Sequence, residues 1–178
     1  MRPFLYLYFL NCLLVFLIPS CLSEKPTALP SPPPQPPQGI TLLIEAESSR
    51  IIEAEVVSDR AAFSGQAVRL LSSRSFCSQD FFLREGTFIA RARVKATSPG
   101  GAQLYLSIGS QTVLLQPASY GSFVYCPQLI EFRLTRPAPG FIQFAAFASG
   151  YPPIETTMLI DAIEIWEKDT FYALNQAN

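Results

Sequence analysis

Histidine is missing from all 178 residues, and that one absence removes a large part of enzyme chemistry. Without imidazole there is no His general base, no Ser-His-Asp or Cys-His arrangement, and no His ligand for zinc. Basic runs are missing as well. The chain has 13 Lys and Arg against 14 Asp and Glu, a formal net charge of −1, and no cluster supplies the electrostatic footprint of a nucleic-acid binder. No asparagine occurs between Asn11 and Asn175, and the only tryptophan is Trp166. Cysteine is scarce. Cys12 and Cys21 lie near the N-terminus, which leaves Cys77 and Cys126 as an isolated pair. In an oxidising compartment the expected fate of that pair is a Cys77–Cys126 disulfide, closing a loop that would stabilise the fold by about 4 kcal/mol; two buried free thiols are the alternative.

The segment MRPFLYLYFLNCLLVFLIPSCLSEKP sets one early positive charge, Arg2, before an apolar run from Phe4 to Ile18, followed by small residues. This is the pattern of a secretory signal over residues 1–23, with an apolar core shorter than the roughly 20 residues that span a bilayer. IPSC at 18–21 resembles a bacterial lipobox, in which Cys21 is lipidated and tethers the mature chain to a membrane. Ordinary cleavage after Ser23 is the competing outcome. Either one places the protein outside the cytoplasm, secreted or in the cell envelope. Residues 24–39 form a linker, and TALPSPPPQPPQG holds six of the sixteen prolines. Such a stretch adopts extended polyproline II and acts as a stiff spacer of about 3.1 Å per residue.

The remaining chain, residues 40–169, is long enough for one domain, with a tail at 170–178. In TFIARARVKA, Phe88, Ala90, Ala92 and Val94 alternate with Thr87, Arg91, Arg93 and Lys95, a period of two that predicts a strand with one wet face. The segments at 102–108, 111–116, 129–135, 141–148 and 157–166 read the same way, separated by Gly, Pro and Ser turn signals. Short strands at even spacing predict an all-β, antiparallel β-sandwich. The only helix-compatible piece lies around Ser75 to Phe82.

The letters IEAE occur twice, at 44–47 and 52–55. In the first copy the alternation sets Glu45 and Glu47 on one side of a strand and Ile44 and Ala46 on the other. In the second, Ile52, Ala54 and Val56 are expected to face the core and Glu53 and Glu55 the water, so Glu47 should carry more stability than Glu55. In TMLIDAIEIW, Asp161 shares a face with Leu159, Ile163 and Ile165, which points a carboxylate into apolar company. A buried carboxylate must be paired, protonated or bound to metal. One solution sets the first and last strands side by side, with Glu45, Glu47, Asp161 and backbone carbonyls binding one Ca²⁺, an ion that prefers hard oxygen ligands. The other pairs Asp161 with an arginine such as Arg69.

The opening IEAES, the VVSDRAAFSGQAVRL of 56–70, the GTFIARARVKA of 86–96 and the closing IDAIEIW of 160–166 occur in an order and spacing that resemble carbohydrate-binding modules of families 6 and 35, galactose-binding-like domains. The resemblance covers nearly all of residues 42–167. It implies a jelly-roll β-sandwich with a structural Ca²⁺ held by Glu45, Glu47 and Asp161, and sugar binding in a loop cleft at one end. There aromatic rings stack on the apolar face of a sugar while polar groups hold its hydroxyls. The positions that match are Tyr120, with Phe123 nearby, and Tyr151, Glu155 and Thr157. An Asn that such families place before the closing strand has no counterpart here.

Three functions are compatible with these features. The first is a non-catalytic, secreted or surface-tethered module that binds polysaccharide or another glycan. The second is a structural or adhesive cell-envelope subunit that uses the sandwich for protein partners. The third, glycoside hydrolysis by a pair drawn from Glu53, Glu55, Glu155 and Glu164, is weakest, since such carboxylates are ordinary on wet strand faces.

Overall fold

The structure is a computed structural model and describes residues 34–71, 74–96, 103–147 and 158–176. Residues 1–23, where a signal is expected, with Cys21 among them, and most of the proline-rich stretch lie outside the described residues.

The chain forms eleven described strands and one helix: β1 Leu42–Glu45, β2 Arg50–Ile52, β3 Ala54–Ser58, β4 Gln66–Leu70, β5 Phe76–Leu83, β6 Gly86–Ala96, β7 Gln103–Ile108, β8 Gln111–Leu115, β9 Val124–Leu134, β10 Ala138–Phe147, β11 Met158–Glu167 and α1 Lys168–Gln176. All strand pairings are antiparallel and build two sheets. One sheet has the order β3-β4-β11-β6-β9, with β1 also paired to β11; the other has the order β2-β5-β10-β7-β8. This is the antiparallel β-sandwich that the alternation predicts. The stretch around Ser75 to Phe82, helix-compatible in sequence, is instead most of β5, and it pairs with β2 and β10. At Gly140 the sheet needs a bare backbone, because the Phe81 ring lies across it where a Cβ would collide at 2.2 Å.

Between the sheets sits one continuous core that includes Ile44, Val68, Leu70, Phe88, Val94, Leu106, Ile130, Ile142, Phe144, Ile163 and Ile165. Cys77 and Cys126 belong to it, and here the expected disulfide is corrected: both are buried free thiols. They lie on β5 and β9, in opposite sheets, and packed sheets stand about 10 Å apart, more than the usual Cα separation across a disulfide. Burial pushes each thiol up to about 12, which keeps both protonated and unreactive.

Two departures from simple alternation, at Glu53 and at Asp161, set which side chains face the core. Glu53 sits at φ +47°, a left-handed backbone rare for a residue with a side chain, and it lies where the chain leaves the five-stranded sheet (β2) for the six-stranded one (β3). The phase therefore changes there. Ile51, not Ile52, packs on the core, Ala54 follows it, and Val56 is 42 % exposed on the edge strand. The second departure is a β-bulge in β11: Ile160 pairs with Val94 and Ala162 with Arg93, so Asp161 is the extra residue. The bulge separates Asp161 from Ile163 and Ile165, which enter the core, and leaves it with Leu159, which packs on Ala62 and Ala67 of the opposite face.

Candidate functional site

The outer face of the six-stranded sheet was expected to be wet along Arg91, Arg93 and Lys95, but it is largely covered. Three acids and a set of aromatic rings close over the three cations. Arg91 donates to Glu164 from Nη2 at 2.7 Å and from Nε at 3.2 Å. The Tyr125 hydroxyl and the Trp166 indole N–H, the latter at 3.0 Å, complete the shell of this fully buried carboxylate. The guanidinium lies 3.7 Å from the centre of the Tyr125 ring, and α1 brings Phe171 against Trp166. Burial, followed by the hydrogen bond and the charge of Glu164, holds the Tyr125 phenol well above its ordinary range. Glu164 is thus consumed by structure, as is Glu55, which pairs with Arg69 at 2.9 Å.

Lys95 pairs with Asp59 at 2.6 Å. Burial alone would raise Asp59, but the bonds from Lys95 and from the Ala61 amide outweigh it and hold the carboxyl below its usual range. Between these two pairs stands Arg93, itself only 9 % exposed, bonded to the fully buried Asp161. It also donates to the Ala61 carbonyl at 3.0 Å, and the Phe63 amide donates to Asp161 Oδ1 at 3.0 Å. Asp161 is therefore paired with an arginine, though with Arg93 rather than Arg69. Burial pushes its carboxyl up, the Phe63 amide and Arg93 pull it back, and the nearby charge of Glu47 adds to the rise.

Glu47 does not lie on a strand. β1 ends at Glu45, and Ala46–Ser48 form a 3₁₀ turn, which carries the Glu47 carboxylate to the Ser64 hydroxyl. Its other oxygen, Oε2, is buried with no hydrogen-bond partner. Glu45 is raised by burial and then by the charge of Glu47. The three acids expected to hold Ca²⁺ are thus near neighbours, but their donor atoms do not suit the ion. Both Asp161 oxygens are taken, one by a cationic side chain, and among the described residues no three acidic or thiol side chains converge to hold a metal. Ca²⁺ requires six to eight oxygens.

At the far end of β6, Tyr120 stands 53 % exposed in the loop between β8 and β9. That loop is tied to the sheet by the Gly121 amide, which donates to the Ala96 carbonyl at 2.8 Å. Strand β11 opens at this same end, with Met158 opposite Ala96. Tyr151, Glu155 and Thr157 lie outside the described residues.

A second surface was not read from the sequence. The registers of the five-stranded sheet align Ile52, Phe76, Ala145, Tyr105 and Leu114 in one row across all five strands on the outer face. A parallel row holds Arg50, Ser78, Gln143, Ser107 and Thr112, in which the Ser107 and Thr112 hydroxyls bond at 2.9 Å. Beyond it stand Phe141, 45 % exposed, beside Asp80, and Phe82, 67 % exposed. Alternation within each strand was legible, but a row across strands depends on register, which no single segment encodes.

The fold is a β-sandwich of the kind found in carbohydrate-binding modules. It is similar to a family 35 carbohydrate-binding module from Clostridium thermocellum, with a TM-score of 0.56 at 9 % identity, over 71 % of this chain and 97 % of that one. It is similar also to an exo-β-1,3-galactanase from Phanerochaete chrysosporium, with a TM-score of 0.55 at 14 % identity, over 70 % of this chain. A third likeness is to a Podospora anserina GH26-CBM35 β-(1,4)-mannanase, with a TM-score of 0.53 at 12 % identity, over 72 % of this chain. The chain spans 29 % of the galactanase and 28 % of the mannanase. No protein-family model matches the sequence, and no curated relative matches it.

Proposed function

We propose that this chain is a non-catalytic, extracytoplasmic module that binds polysaccharide. The observation that carries this reading is the pair of rows on the five-stranded sheet. Apolar and aromatic side chains in one row offer a flat bed for the C–H faces of sugar rings, and the Gln143 amide, the Arg50 guanidinium and the Ser107 and Thr112 hydroxyls of the next row meet the hydroxyl rim. Four inter-strand steps of about 4.8 Å give a track of about 19 Å, the length of a short oligosaccharide. Tyr120, exposed at the sheet end with β11 opening beside it, offers a second stacking ring, which Tyr151, Glu155 and Thr157 would complete.

Two of the four carboxylates weighed for catalysis are engaged elsewhere. Glu164 is enclosed and Glu55 is paired, and the enzymes named above match this fold over less than a third of their length. The N-terminal signal and proline-rich spacer fit a module delivered outside the cytoplasm and held away from its attachment. Mass spectrometry of the mature N-terminus distinguishes lipidation at Cys21 from cleavage after Ser23.

Affinity electrophoresis against a panel that includes β-1,3-galactan and β-1,4-mannan tests the function. Retardation by at least one polysaccharide is expected, lost in Tyr105→Ala and Phe76→Ala if the sheet face binds, and lost in Tyr120→Ala if the end loop does. A panel without any retardation overturns the reading in favour of a structural role with protein partners.

A further inference from the structure

The electrostatic centre of the outer face is a side chain, and it cross-braces parts of the fold that are far apart in sequence. Arg93 on β6 holds Asp161 of the β11 bulge with one guanidinium nitrogen and the Ala61 carbonyl of the β3–β4 loop with another, the latter at 3.0 Å. Phe63 and Phe123 set their rings 4.2 and 5.0 Å from its carbon. The loop it grips is otherwise short and self-bonded: the Asp59 amide donates to Gly65, the Ala62 amide to Asp59, and Ala62 is fully buried beneath it. Carboxylate and backbone carbonyl, reached from one point on the last strand and one loop, are the kinds of ligand a hard divalent cation takes.

We propose that Arg93 is the built-in cation of this sandwich: its guanidinium joins the Asp161 bulge to the 59–65 loop, and the domain folds without a structural metal ion. This inference is independent of the glycan reading. Three features support it. The planar guanidinium satisfies two acceptors at once, which a point charge on a flexible stem could not match. The rings beside it favour a delocalised cation over a hydrated ion. A divalent ion bound at Asp161 would stand against the fixed positive charge of Arg93. Among the described residues the unpaired Glu47 Oε2 is the one buried side-chain oxygen that invites an ion, and it supplies one ligand of the six to eight required.

Thermal unfolding of the purified chain tests this directly. The midpoint should be the same in excess EDTA and in added Ca²⁺. Arg93→Met should lower it by about 10 °C or more, because it strands a buried carboxylate. Arg93→Lys should fall between the two, since it keeps the charge but not both bonds. The double variant Arg93→Met/Asp161→Leu should recover part of the loss, showing that the two residues act as a pair. A drop in the wild-type midpoint with EDTA, or a rise with Ca²⁺, overturns the proposal without needing any variant to fold. So does an Arg93→Met chain that melts like wild type.

Discussion

The two IEAE segments have the same four letters and opposite fates. In the first, Ile44 and Ala46 are each 2 % exposed, on the strand and turn that run along the central β11, while Glu47 is carried over to Ser64 with one oxygen buried. In the second, the chain changes sheets at Glu53, both glutamates are exposed, and Val56 stands on an edge strand. Both segments are points of passage, since β1 and β3 belong to one sheet and β2 to the other. What differs is how each is covered: Ile44 and Ala46 pack inward in the core, while β2 and β3 are the outermost strands of their sheets. An outermost strand has a neighbour on one side only and buries little.

That contrast can be broken in measurable steps. The largest should come from the isoleucines. Ile44→Ala should cost about 2–4 kcal/mol in chemical denaturation, and Ile52→Ala under about 1 kcal/mol, because only the first empties core volume. Equal costs would show that the second segment is as deeply packed as the first. Next, Glu53→Gly should raise stability by about 0.5–1 kcal/mol by relieving the left-handed backbone, whereas glycine at Glu45, whose backbone is extended (φ −78°), should lower it. The smallest effect concerns the acids. Glu47→Gln and Glu55→Gln should both fall within about 0.5 kcal/mol of wild type. An amide keeps the Ser64 contact and removes the negative charge that Glu47 sets against Glu45 and Asp161. A large loss at Glu47 alone would restore the ranking that the sequence suggests and argue for an ion at that turn.

Much of the sandwich was legible because alternation is local. The strands at 86–96 and 158–167 carry it plainly, and the buried Trp166 packs as its position in a closing strand suggests. The reading failed where a distant residue decides the outcome. The face of Arg91, Arg93 and Lys95 reads as wet, yet Phe63, Phe123, Tyr125 and Trp166, far away in sequence, cover it. The phase of β11 changes at one inserted residue, so Asp161 leaves the apolar set to which strict alternation assigns it. Helix α1 is short and polar, and what holds it is the contact of Phe171 with Trp166 rather than its own propensity. Of the candidate site, the pairing of Asp161 with an arginine was foreseen as a type of contact. Its partner required the register of β6 and β11.

The central place of β11 bears on how this molecule comes into being. Its last long strand lies between β6 on one side and β1 and β4 on the other, so the six-stranded sheet cannot close until nearly the whole chain is available. Contacts between Leu42 and Ile165 close a loop of almost the full domain, the kind of long-range pairing that slows folding. A nascent chain paused before Met158 would be left with unpaired edges and an open core. Emergence of β11, rather than any early nucleus near the N-terminus, therefore licenses folding, and truncation at any point before β11 should yield insoluble protein in place of a smaller domain.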